Sequence, residues 1–206
     1  MKDPHSAQER FQATKDGILS NPHFYVITGA SGAGKSTLLN ALGELGHSVV
    51  PEIALAIVQE QERNGGSLFP WTHRQSFMEE VLARNIQAYD AAQALPSPVF
   101  FDRGIPECLA HMRLLGLETR PEHEGDLRQR RYANIVFVAQ PWPEIYVCDR
   151  WRRATFDRAA RSFEPTVSAY TDWGYRTQVI PQVSVAERVA FILRQIETSL
   201  AKGDEP

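Results

Sequence analysis

The run Gly29-Ala30-Ser31-Gly32-Ala33-Gly34-Lys35-Ser36 fits the phosphate-binding loop (P-loop) pattern G-x-x-x-x-G-K-[ST]. Glycines let such a loop bend tightly and turn backbone N–H groups inward, and a helix starting at its end adds partial positive charge. A lysine at position 35 can reach the β- and γ-phosphates of a nucleotide, and the Ser36 hydroxyl is placed to ligate Mg²⁺. Gly29, Ala30, Ser31, Gly32, Ala33, Gly34, Lys35, Ser36 and Thr37 are therefore the expected ligands of a nucleoside triphosphate. The pattern has meaning only between a strand and a helix. That context is present, with the apolar run Phe24–Thr28 before it and Thr37–Leu42 after it.

Other residues could act on the same phosphate. Asp102 ends the apolar run Val99–Phe101, and in an open α/β sheet ligands bind at the carboxyl ends of strands. An aspartate there can hold Mg²⁺ through water, and it would equally serve as a helix N-cap. Arg103 beside it is a candidate phosphoryl contact or a salt-bridge partner. Glu52 closes a second short apolar run and could accept a proton from a substrate hydroxyl, or simply complement the first turn of a helix. Arg150, Arg152, Arg153, Arg158 and Arg161 crowd one segment. On a single helix Arg150, Arg153, Asp157 and Arg161 would form one stripe. A lid carrying Arg153 and Arg158 could stabilise transition-state charge on the phosphates, whereas a solvated charged helix is the plainer alternative. Arg128, Arg130 and Arg131 are expected to be solvated.

These groups need elements to hold them in place. Apolar runs at Phe24–Thr28, His47–Val50, Val99–Phe101, Ile135–Val138 and Thr177–Ile180 read as strands. Helices are expected from about Lys35 to Leu45, Glu52 to Arg63, Trp71 to Leu95 and Ile105 to Leu115. Gly116 to Arg131 is charged, with a helical turn or more. Ser184-Val185-Ala186-Glu187 is a capping box opening a last helix to about Leu200. Strands alternating with helices predict an α/β fold with a parallel sheet covered on both faces. The domain is expected over residues 23–200, with a lid at about 148–170. Residues 1–22 are read as a flexible tail, with a short helix possible from Ala7 to Ile18, and 201–206 as disordered.

Composition narrows the function classes. A chain of 206 residues with 43% hydrophobic content suits one domain with a substantial core. A net charge of −3 argues against general nucleic-acid binding. Lysine occurs only at Lys2, Lys15, Lys35 and Lys202, so the other basic residues are arginines, suited to bidentate phosphate and carboxylate pairing. Cys108 and Cys148 form neither a metal-ligand pair nor a disulfide framework, which points to a reduced, cytoplasmic setting. No histidine pair has metal-ligand spacing, and each of Trp71, Trp142, Trp151 and Trp173 is read as core unless it stacks on a nucleoside or aromatic substrate. No signal peptide and no apolar stretch of about 18 residues is visible, so no membrane association is expected.

In order along the chain stand GASGAGKST, Pro51-Glu52, FFDRG at 100–104, the arginine-rich segment and a fifth strand ending Val-Ile-Pro. This arrangement resembles the P-loop kinases that include nucleoside and nucleotide kinases. More narrowly it resembles the "AAA domain" family of small ATPases, whose members share an opening like ITGxSGxGKSTLLxxLxxxGxxVVPE and a later DRGxxE. The resemblance spans about Phe24 to Ile196. It implies a P-loop NTPase fold with a five-stranded sheet of order 2-3-1-4-5, an arginine-rich lid, and ATP or GTP with Mg²⁺. No [NT]-K-x-D guanine motif occurs, so ATP is favoured over GTP. Asp102-Arg103 stands where AAA+ motors carry an acidic pair, and their extra helical domain is not expected within these 206 residues. A kinase acting on an unidentified small-molecule hydroxyl or phosphate acceptor is the leading expectation. Lys35, Glu52, Asp102, Arg103, Arg153 and Arg158 would be catalytic, and Ser36 with Asp102 would hold the metal. The alternative is an ATPase- or GTPase-type regulatory switch acting through a protein partner.

Overall fold

The computed structural model describes residues 19–146 and 155–201. Five parallel strands form the central sheet: β1 (Phe24–Gly29), β2 (Ser48–Val50), β3 (Val99–Asp102), β4 (Ile135–Ala139) and β5 (Arg176–Ile180). Their order across the sheet is β2-β3-β1-β4-β5, the kinase-like 2-3-1-4-5 arrangement. Each connection is helical: α1 (Lys35–Glu44), α2 (Ile53–Asn64), α3 (Arg74–Ala92), α4 (Ile105–Leu114), α5 (Pro121–Gln129), α6 (Phe156–Arg161), α7 (Phe163–Thr171) and, after β5, α8 (Val185–Ala201).

Both faces of the sheet are covered, so the central strands are apolar on both sides. Phe24 and Val26 of β1 join a core with α2, α3, α4 and α7, while Tyr25 and Ile27 join a second core with α1 and α8. The alternation follows the two-residue period of a strand. It places the carboxyl ends of β1, β2 and β3 side by side, with Ile27 in register with Asp102 and Gly29 with Ala139. No helix among the described residues is long and apolar enough to cross a membrane.

Several expectations need revision. Helix α3 begins at Arg74, not Trp71, because Thr72 Oγ1 donates to Ser67 O (2.9 Å) and folds the preceding residues into a turn. The proposed tail shortens: Leu19–Ser20 pair with Arg130–Arg131 as a parallel bridge, and Asn21 N donates to Arg131 O at 3.1 Å. Ala201 still belongs to α8. The expected Ala7–Ile18 helix and residues 202–206 lie outside the described residues. Arg130 and Arg131 are not simply solvated. Arg130 bonds Asp90 at 2.8 and 2.9 Å and Asp126 at 2.9 Å. Arg131 donates to Trp173 O at 2.9 Å and lies 4.1 Å over the Tyr175 ring. The capping box forms as expected, with Ser184 N donating to Glu187 Oε2 at 3.1 Å and Glu187 N to Ser184 Oγ at 3.4 Å.

Candidate functional site

The phosphate-loop residues lie between β1 and α1. Gly29 ends β1 at φ 125, and a Cβ there would collide with the Ala139 carbonyl of the neighbouring strand. Only glycine permits that approach, which also lets Ala30 N donate to Ala139 O at 3.1 Å. Gly34 precedes α1 at φ 75, and no side chain caps the helix. The side chains of Ala30 and Ala33 are buried in the core, so these residues can offer a ligand only their backbone. Lys35 is also buried, and its Nζ donates to Ala30 O (2.8 Å) and Gly29 O (3.3 Å). Burial, with the Arg103 charge adding to it, lowers the Lys35 pKa from 10.5 to about 8, although Asp102, Glu52 and Glu107 pull the other way.

The acidic side of the site is built on β3 and α4. Asp102 is 4% exposed and its Oδ1 has no hydrogen-bond partner. Burial lifts its carboxyl from 3.8 to about 6, against the opposing pull of Lys35. Arg103 takes the left-handed conformation at φ 71, unusual for a non-glycine residue, with its N–H bonded to Ile27 O at 3.1 Å. Its Nε lies 3.5 Å from Glu52 Oε1, and Nη1 pairs with Glu107. Burial works against the Arg103 cation, but Glu107, Glu52 and Asp102 together hold its pKa above the ordinary arginine value. Glu52 itself is the N-cap of α2, with no side-chain cap bond to that helix.

Glu107 was not singled out among the site residues, yet it joins three elements. Besides Arg103, it accepts hydrogen bonds from Thr28 Oγ1 at 2.5 Å and from Tyr170 OH at 3.3 Å. The last position of DRGxxE was its one sequence signal. Thr28 and Tyr170 carried none. The structure thus brings Lys35, Asp102, Arg103 and Glu52 together and adds Glu107.

Beside the loop is a cavity of about 410 Å³. Gly32, Gly34, Ser36 and Thr37 form one wall, and Trp142, Ile145, Val183 and Arg188 face them. Trp142 is thus a wall of the cleft rather than core, and Arg188 is a second residue the sequence did not flag.

The arginine-rich segment is only partly described. Arg150, Arg152 and Arg153 lie outside the described residues. Arg158 and Arg161 are exposed on α6. The expected single stripe does not form, because Thr155 is extended and caps α6, accepting from Arg158 N at 3.4 Å. The segment read as a lid therefore divides: α7 is packed, with Ala169 and Tyr170 buried in the core.

A family model described as "AAA domain" matches residues 24–188. The chain belongs to this family. No curated protein sequence matches it. Among solved structures this AAA-domain chain is similar to deoxyadenosine kinase from M. mycoides with the products dCMP and dCDP bound. That match has 15% identity and a TM-score of 0.60, covering 85% of this chain and 99% of that one. It is also similar to shikimate kinase from Acinetobacter baumannii in complex with shikimate, at 16% identity and a TM-score of 0.51, covering 85% and 93%. At such identities the likeness establishes a shared kinase-like P-loop fold.

Proposed function

We propose that the chain is an ATP-dependent phosphotransferase that moves the γ-phosphate to a hydroxyl or phosphate group of a small molecule. One observation carries this reading: Lys35 of the phosphate loop and the Glu52–Arg103–Glu107 network meet around Asp102 at one sheet edge. A site that only held a nucleotide would not need Glu52, the N-cap residue that follows the second strand, paired into this network. The kinase-like fold supports the same reading.

In this mechanism backbone N–H groups of the loop between Ser31 and Thr37 cradle the phosphates, and Lys35 leaves the carbonyls of Gly29 and Ala30 for the β- and γ-phosphate oxygens. Magnesium fits the residues present, since the buried Oδ1 of Asp102 lacks a partner and Ser36 lines the cavity. Among the described residues no cluster of three or more His, Cys, Asp or Glu could hold a metal alone, so Ser36 and Asp102 would hold the ion only together with a bound nucleotide. The ion would supply positive charge against the negative charge that develops on the phosphates. Arg103 holds Glu52 in position through the 3.5 Å contact. Glu52 takes the proton of the acceptor hydroxyl as its oxygen bonds to the γ-phosphorus. The bond from that phosphorus to the β–γ bridging oxygen breaks, and ADP leaves with the electron pair. Arg153 and Arg158 are assigned to the same transition-state charge from the arginine-rich segment.

The test is a panel of nucleosides, nucleoside monophosphates, hydroxy acids and aminoglycoside-like alcohols, assayed for labelled phosphate from ATP and, in parallel, GTP. At least one acceptor should be phosphorylated, and Glu52→Gln should lower kcat by about 10²- to 10⁴-fold with nucleotide affinity retained. If no acceptor is labelled and Glu52→Gln leaves the slow ATP hydrolysis unchanged, the phosphotransferase reading fails in favour of a nucleotide switch.

A further inference from the structure

The capping box starts α8 so that Arg188, in its first turns, is directed at the phosphate loop, with its N–H bonded to Ser184 O at 3.0 Å. The residue is 3% exposed. Nη2 donates to Ala33 O at 3.1 Å, while Nε is buried with no partner. Nη1 lies over Gly34, where an added Cβ would stand 2.9 Å from it, so the guanidinium occupies the space a side chain would take. Among the described residues no carboxylate pairs with Arg188, and burial alone lowers its pKa. The other site arginine differs: Arg103 has both Glu52 and Glu107.

A buried cation that meets, among the described residues, one carbonyl acceptor and no counter-charge is unfavourable. The Trp142 ring, 5.7 Å from the guanidinium, offsets only part of that. If Arg188 served merely to prop the loop at Ala33, a neutral donor would suffice. What relieves it must be anionic, must reach the cavity between Gly34 and Trp142, and must offer planar acceptors for a guanidinium fork. Lys35 takes the far end of a triphosphate, so the phosphate nearest the nucleoside falls on the Arg188 side.

We propose that Arg188 is a nucleotide-binding residue supplied by α8, with the α-phosphate of the bound nucleotide as its counter-ion. This inference rests on the nucleotide-binding reading of the phosphate loop. It assigns that loop a second cation, one that recognises the phosphate every adenine nucleotide carries.

The test compares affinities of ATP, ADP, AMP and adenosine for the full chain, by competition against a fluorescent nucleotide in EDTA. Arg188→Met should weaken ATP, ADP and AMP by a common factor of about 10- to 100-fold and leave adenosine unchanged. Arg188→Lys should recover part of the loss, because it keeps the charge without the fork. If Arg188→Met does not fold, the lysine variant carries the same comparison with a smaller common factor. Equal weakening of adenosine would make Arg188 a determinant of pocket shape and overturn the proposal. So would a loss confined to ATP and ADP, which would assign Arg188 to propping the loop through Ala33. Equal AMP and adenosine affinities in the wild type would also overturn it. A wild type that binds no nucleotide would sink the reading of the loop itself. ATP binding that Lys35→Met abolishes and Arg188→Met leaves intact would sink only the Arg188 assignment.

Discussion

Replacing Asp102 with asparagine should make the ligand-free protein more stable near neutral pH while removing its response to magnesium. The argument starts from a carboxyl that is 4% exposed, has one oxygen without a partner, and titrates near 6 in the fold instead of 3.8. A raised folded pKa means the fold binds the proton more tightly than the unfolded chain does. The stability this contributes is complete below pH 3.8 and is lost as pH rises through about 6. A gap of about two pH units corresponds to roughly 3 kcal/mol. Lys35 has the opposite sign. Its pKa is lowered from 10.5 to about 8, so its contribution is present above 10.5 and lost as pH falls through about 8. Below about pH 7 that lysine is largely protonated in both states and adds little slope. Between about pH 4 and 7, wild-type stability should therefore fall by roughly 2–3 kcal/mol more than that of Asp102→Asn. At this chain length that equals roughly 4–12 °C in Tm. Urea unfolding of both proteins across that range measures it, and Tm with ATP and with or without Mg²⁺ reads the metal response. Parallel pH profiles, or a variant that keeps the full magnesium-dependent rise in Tm, would refute the reasoning.

Glu107→Ala leaves Thr28, Tyr170 and Arg103 without their shared acceptor and should destabilise the fold by about 3–5 kcal/mol in chemical denaturation. A change below about 1 kcal/mol would remove Glu107 from the centre of the network. Gly29→Ala should cost more than about 3 kcal/mol or prevent folding, because the methyl group meets the Ala139 carbonyl at φ 125. Gly46→Ala, at φ 89 with nothing within 4 Å, should cost only about 1 kcal/mol, and equal Tm losses for the two would contradict the steric account.

Much of the scaffold was legible because its causes are local. The loop and its flanks lie within one stretch of chain, and the apolar strand runs follow from a sheet buried on both faces. The capping box needed only Ser184 and Glu187, and it formed. Element ends were read less well, since the turn at Thr72 depends on carbonyls at Ser67 and Phe69 that no periodicity reports. The strand order came from resemblance to known kinases and not from the residues themselves.

The sequence by itself determined the phosphate loop, the kinds of element around it, and which carboxylates stand at strand ends. Tertiary structure decided which charges meet. Glu107 and Tyr170 are 63 residues apart, and Arg188 and Ala33 are 155 apart. Arg130 became a partly shielded bridge because Asp90, on a remote helix, faces it. Arginine, glutamate and tyrosine are as common on solvated surfaces as in such networks, so type and spacing cannot separate the two cases. Burial separates them, because a polar group removed from water must find its partner wherever the fold supplies one.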